Sequence, residues 1–169
     1  MRAAWIFVLP LTLMACSDEP SSKERVTREA ERRAEVAAVE RASEPPPIAV
    51  EPEPIRYPDI ERHDMFGAGC AFAPDGGGMG ALAILQGERG FVKIDGEVRE
   101  LAPNVGSEEG PLGVRARYAG REYALVLRLD PRSEQGSGYE TVHYDARLTI
   151  EDGRGRAVYD SAGRAQCGS

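Results

Sequence analysis

The sequence predicts an all-β domain, a small antiparallel β-barrel or sandwich of seven to eight strands, preceded by a partly helical, Pro-rich tether. Three observations carry this. From about Met65 onward, apolar and polar side chains alternate with a period of two, the signature of half-buried strands. Glycine-containing breaks separate these runs at the spacing expected of short strands. Upstream, residues 17–63 are rich in Glu, Arg, Ala and Pro and hold too few large apolar side chains to form a core.

The clearest strand is 140–150, where Val142, Tyr144, Ala146, Leu148 and Ile150 alternate with polar residues. A second spans 122–130, with Tyr123, Leu125, Leu127 and Leu129 on one face. A third spans 112–118, with Leu112, Val114, Ala116 and Tyr118 inward. A two-residue loop at Ala119-Gly120 would place Ala116 opposite Tyr123 and Arg117 opposite Glu122, which keeps one face apolar and pairs opposite charges. Shorter runs at 69–73, 81–86, 91–94, 98–101 and 157–161 complete the set. Asp95-Gly96 is a hairpin signal. Closing about 100 residues into strands leaves no room for a long helix, so the β domain is expected over 64–169.

The tether is expected over 16–63. Lys23 to Ser43 is made of good helix formers, with Glu24–Arg28 and Glu29–Arg33 as favourable i,i+4 pairs, but Val26, Ala30, Ala37 and Val39 form no apolar stripe. Pro45, Pro46, Pro47, Pro52, Pro54 and Pro58 follow, and 44–58 reads as polyproline II. At roughly 3.1 Å per residue it would span about 45 Å and hold the β domain away from its anchor.

That anchor is read from residues 1–16. Arg2 supplies a positive start and 3–13 is an apolar run broken only by Pro10 and Thr12. The run is shorter than the roughly 20 residues a membrane span needs and suits a secretory signal. Leu13-Met14-Ala15-Cys16 resembles the lipobox of bacterial lipoproteins. The resemblance implies cleavage of 1–15 and acylation of Cys16, and two or three acyl chains anchor stably where one does not. It also implies an address: Ser17, not Asp, follows the cysteine, which points to the outer membrane, periplasmic side.

The net charge is −7, and 17–63 and 64–169 each carry −4, so no basic face invites nucleic acid. With Cys16 assigned to lipid, Cys70 and Cys167 remain, and an oxidising compartment favours one disulfide between them. The alternative, a pair of reactive thiols, lacks a C-x-x-C motif.

Chemical motifs are sparse. His143 and Asp145 can touch on a strand's polar face, with Ser137 and Ser161 nearby only in sequence, and no Gly-x-Ser-x-Gly elbow is present. The chain is therefore expected to be no enzyme. No cofactor or metal is expected: Asp75 to Gly80 lacks the Lys-Ser/Thr of a phosphate loop, and Glu151-Asp152-Gly153 lacks calcium-loop spacing. The one binding feature is a set of arginines, Arg115, Arg117, Arg128 and Arg147, on polar strand positions. Guanidinium forks suit carboxylates and phosphates, so an anionic wall component or an envelope protein is the expected partner beside the membrane.

Gly67-Ala68-Gly69-Cys70-Ala71-Phe72, Gly77-Gly78-Met79-Gly80-Ala81, Val92-Lys93-Ile94-Asp95-Gly96 and Val158-Tyr159-Asp160 resemble uncharacterised lipoproteins of alphaproteobacteria. That implies a small β domain and no activity. The architecture is also similar to the membrane-bound inhibitors of C-type lysozyme, lipid-anchored barrels with one disulfide. Their Ser-Gly-x-x-Tyr loop has a shortened counterpart at Ser137-Gly138-Tyr139, and their Trp-x-Lys-Gly segment has none. The leading expectation is a non-enzymatic, lipid-anchored binding or structural module. An inhibitor of a wall-cleaving hydrolase is the alternative, and an envelope hydrolase comes third.

Trp5 is the only tryptophan and lies within the segment expected to be removed. Protein purified from its native membrane should emit as tyrosine alone; a tryptophan emission band would show that 1–15 is retained.

Overall fold

The computed structural model describes residues 21–78, 80–136 and 140–169, with only the backbone at 41. The chain divides into two compact units, Met1–Pro45 and Pro46–Ser169.

In the first unit, helix α1 spans Ser22–Ser43. Ser21 caps it, its hydroxyl accepting from the Glu24 N–H while the Glu24 carboxylate accepts from the Ser21 N–H. Such reciprocal capping satisfies two otherwise orphaned donors. Glu29 and Arg33 form the expected i,i+4 ion pair. Val26, Val36 and Val39 are exposed, so the helix is polar on every side. Among the described residues no helix is long and apolar enough to cross a membrane.

The second unit is a closed barrel. Its elements are β1 (Pro52–Glu53), α2 (Tyr57–Arg62), β2 (Gly69–Pro74), β3 (Ala83–Gln86), β4 (Gly90–Ile94) and β5 (Glu97–Pro103), then β6 (Arg117–Ala119), β7 (Tyr123–Leu129), β8 (Gln135–Gly136), β9 (Val142–Asp152) and β10 (Ala157–Gly168). Eight antiparallel strands close a ring in the order β2-β3-β4-β5-β6-β7-β9-β10 and back to β2. Apart from the insertion of β8, which pairs with β9, consecutive strands are neighbours throughout, an up-and-down meander. Asp95 and Gly96 both have positive φ, 53° and 76°, as a type I′ hairpin requires.

Inward side chains fill the ring. Phe72, Leu85, Val92, Ile94, Tyr118, Leu125, Leu148 and Ile150 are each 0–1% exposed. Eight strands leave an interior just wide enough for side chains. Two glycines make room for this packing. A β-carbon on Gly90 would lie 2.7 Å from the Tyr118 ring, and one on Gly163 would lie 2.2 Å from the Ala73 carbonyl oxygen. β10 continues past the expected 157–161 to Gly168, which brings Cys167 directly opposite Cys70 on β2. The two form a disulfide with an S–S distance of 2.02 Å, as expected.

Two expectations are corrected. The first is the tether boundary. Residues 50–65 belong to the barrel unit. The Val50 N–H donates to the Val158 carbonyl at 3.0 Å, β1 pairs with the end of β4, and Ile55 is buried. α2 then lies against the outer face of the barrel, where Ile55, Met65 and Phe91 form a second apolar cluster. Asp59 on α2 bonds Lys93 on β4 at 3.0 Å, and accepts from the Arg56 N–H. Those bonds hold the Asp59 carboxyl below its ordinary range. The prolines do not make a rod here. Pro52 lies in a two-residue edge strand and Pro58 in the first turn of α2, both positions that need no N–H donor.

The second correction concerns 112–118. Pro111–Gly113 is a 3-10 turn with Leu112 at φ 56°, Val114 drops into the main core, and only Arg117–Ala119 is strand. The chain reverses at Arg121-Glu122, with the Gly120 N–H donating to Tyr123 O. Tyr118 therefore faces Leu125, and Arg117 faces Val126 rather than Glu122. The shift is by an even number of residues, so the faces stay as expected while the pairs change. Alanine tolerates the positive φ of a tight primed turn poorly, which disfavours Ala119-Gly120 as the reversal.

Replacing both cysteines (C70A/C167A) opens a covalent loop of about 98 residues. Urea denaturation should show a loss of about 2–4 kcal/mol relative to the oxidised parent. An unchanged midpoint would mean the β2–β10 ladder alone sets the stability.

Candidate functional site

The groove that gathers most of the expected arginines lies where β6 and β7 part. On one side run residues 126–129 of β7, on the other the segment 108–117. The groove holds about 440 Å³. It exists because 108–115 folds on itself. Glu109 bridges Arg115 across a small hairpin, and the Gly110 N–H donates to the Val114 carbonyl at 2.7 Å. Pro111 and Gly113 set the turn between them, and Leu112, at positive φ, is 48% exposed.

Arg115, Arg117 and Arg128 line this groove together with Glu108 and Glu109. Their states differ. Arg115 pairs with Glu109 at 2.7 Å. Arg117 reaches across to Glu151 on β9, also at 2.7 Å. The Arg128 side chain is exposed and has neither a hydrogen bond nor an ion pair among the described residues, though its charge reaches Asp160 at longer range.

Arg147 does not line the groove. It sits on β9 directly opposite Arg128, yet its guanidinium is held by both oxygens of Asp160. Thr149 adds a hydrogen bond to the same carboxylate at 2.8 Å. Arg147 and Thr149 lower the Asp160 pKa, and Asp160 raises that of Arg147. The expected four-arginine patch is thus three residues in a groove, two of them paired with carboxylates, and a fourth beside it that is paired as well.

A buried tyrosine anchors the segment behind the groove. Tyr118 donates its hydroxyl to the Gln86 carbonyl at 2.6 Å and accepts from the Arg115 N–H at 2.9 Å. Gln86 in turn donates its side-chain amide to the carbonyls of Met65 and Phe66. Burial pushes the Tyr118 hydroxyl pKa up. The groove's far lip is therefore fixed to the opposite side of the ring through one hydroxyl.

The remaining candidates are dispersed. His143 and Asp145 share the outer side of β9 beside a recess of about 90 Å³ that Ser133, Gln135 and Arg164 also line. Ser161 lies opposite Leu148, whereas His143 lies opposite Gln166, five register places away. At about 3.3 Å per residue that separates them by roughly 16 Å. Cys16, Met79 and Ser137-Gly138-Tyr139 lie outside the described residues. Among the described residues no group of three or more His, Cys, Asp or Glu is placed to hold a metal. Glu108 and Glu109, the acidic lip of the groove, had no distinct sequence signal. Gly110-Pro111-Leu112-Gly113 did mark the break that creates the groove. No protein-family model, curated protein or solved structure matches the chain.

The Asp152 turn shows what its carboxylate does. It accepts from the N–H groups of Arg154 and Arg156 and binds the Arg156 guanidinium, closing the β9–β10 hairpin. Those bonds bring its pKa from 3.8 to about 2. A carboxyl depressed on folding stabilises the fold above its unfolded pKa, and that contribution disappears as pH falls through the folded value. The Tm difference between the parent and D152N should be full at pH 5, shrink as pH falls below about 4 and vanish only below pH 2. A difference undiminished at pH 2 would mean the turn's stability is not electrostatic.

Proposed function

We propose that this chain is a lipid-anchored lipoprotein of the cell envelope, held to the outer membrane on its periplasmic side, and that its barrel is a non-enzymatic binding module. The anchor reading is supported by Leu13-Met14-Ala15-Cys16 with Ser17 following, and by a disulfide, which suits an oxidising compartment. The observation that carries the binding reading is the groove between β6 and β7. It is built on a packed, stapled barrel, it gathers three guanidinium groups, and one of them, Arg128, has no ion pair among the described residues. Such groups recognise carboxylates and phosphates with defined geometry. An envelope protein or an anionic wall component is the matching class of partner.

A second reading, inhibition of a wall-cleaving hydrolase, is favoured by the closed eight-strand barrel with its single disulfide, an architecture similar to the lipid-anchored lysozyme inhibitors. A turbidity assay with C-type lysozyme separates the two readings, since a binding module of the first kind leaves lysis unchanged.

In cells fed labelled palmitate, the parent chain should incorporate label and fractionate with the outer membrane, and C16A should do neither. A photo-crosslinking residue placed at Val126 should capture a partner, and one at Arg164, two strands away on β10, should not. Turnover of an envelope substrate by the purified chain, abolished by H143A, would overturn the non-enzymatic reading.

A further inference from the structure

The main chain of β7 states more about the groove than its charges do. The Asp130 N–H donates to the Asp145 carbonyl on β9 at 2.9 Å. This fixes the alternation along β7: even-numbered residues bond β9, and Leu125, Leu127 and Leu129 direct their N–H and C=O groups toward β6. Leu125 faces Tyr118, and the Leu127 N–H still donates to the Ala116 carbonyl at 2.9 Å. An intact antiparallel pair would return a bond from the Ala116 N–H to the Leu127 carbonyl. Here the Ala116 N–H donates to Glu108 instead, at 2.9 Å. At the next place, the Val114 carbonyl is taken by Gly110 and its N–H by Pro111. The Leu127 carbonyl and the Leu129 N–H are thereby left facing the groove without a backbone partner among the described residues.

We infer that the groove takes an extended, carboxylate-bearing peptide as an added strand on β7. This rests on the binding-module reading and specifies its ligand. The acceptor at Leu127 and the donor at Leu129 flank Arg128, so a strand laid in either direction satisfies both. Arg128 itself points out of the sheet, exposed, opposite Arg147. Asp160 feels its charge only at longer range, being bound already by Arg147 and Thr149. A side-chain or terminal carboxylate on the added strand supplies the missing anion. Glu108 and Glu109 on the far lip repel a uniformly anionic chain, which favours a peptide with an isolated carboxylate over a polyanionic polymer. Pairing at an open sheet edge gives affinity through the main chain, and alternate side chains give specificity.

The test selects random 12-residue peptides displayed on phage against the full chain, then measures the enriched sequences as labelled synthetic peptides. Carboxylate-bearing sequences should be enriched. Their affinity should fall about tenfold in R128A, a loss of about 1.4 kcal/mol, and by at least as much in L129P, which removes the N–H, while L129A retains it. Hydrogen exchange read by NMR should show a fast Leu129 amide in the unbound chain and a slowed one in the complex, which decides the matter if L129P fails to fold. Enriched peptides without carboxylates, equal binding to R128A and L129P, or a Leu129 amide already protected in the unbound chain would overturn the inference. Dextran sulfate is the polyanion arm: Arg128-dependent binding of it, with no peptide enriched, would also overturn strand addition. Crosslinks from Val126 in cells together with a failed peptide selection keep the binding module and remove only the strand; absence of both removes both.

Discussion

The barrel closes where β10 lies against β2. Six register pairs run along this seam, from Gly163 opposite Pro74 to Gly168 opposite Gly69, with the disulfide at the fifth. A sheet that fails to close must manage two edges of unpaired N–H and C=O groups. Closure removes both edges at once, but it requires the last strand to reach the first across the full chain. The long strands make this happen. β9 has 11 residues and β10 has 12, and together they form the longest ladder in the molecule. The close approach at Gly163, where no β-carbon fits against the Ala73 carbonyl, is what lets β10 pass near enough to β2 for the cysteines to meet.

The same geometry explains the groove on the other side of the ring. β6 has three residues, against seven in β5 and seven in β7. A strand that short cannot cover its neighbours, so part of β7 is left with no partner on that side. Elsewhere the chain covers such gaps. β1 lies beside the end of β4 that β3 does not reach, and α2 covers Phe91 on the outer face of the barrel. The segment that could have covered β7, residues 108–115, spends its hydrogen bonds on itself and donates the Ala116 N–H to Glu108. The seam is thus held open by specific bonds, and Tyr118, tied to Gln86 and Arg115 through one hydroxyl, keeps the lip in place.

Much of this was legible in the sequence wherever one face of a strand meets solvent. The inward residues expected for 140–150 are those that point into the core, and all but Val142 are buried. The β7 face, with Leu125 and Leu127 in the core, follows the same rule. Legibility failed where burial is two-sided. Phe91 points outward and yet is 0% exposed, because α2 lies on it. A period-2 reading cannot anticipate an outer cover supplied by a Pro-rich segment, since Pro52 and Pro58 argue against regular structure until their partners are known. Ile55 and Ile60 were the available clue: two isoleucines amid prolines have apolar area that a solvated rod leaves in water.

The candidate site was legible in composition and not in pairing. Arg115, Arg117 and Arg128 do line one groove, but which acid answers Arg117 depends on register. With the reversal at Ala119-Gly120, Glu122 would have answered Arg117. With it at Arg121-Glu122, Glu151 on β9 answers Arg117, and Glu122 lies instead 3.5 Å from Arg99. An even shift in register keeps every side chain on its face, so hydrophobic patterning does not distinguish the two pairings. Charge partners across strands do change with it. The position of one two-residue turn therefore decides which acid neutralises Arg117 and which arginine Glu122 meets. Tyr118 stays on the inner face in either pairing, and in the observed one its ring packs on Gly90 so closely that a β-carbon there finds no room.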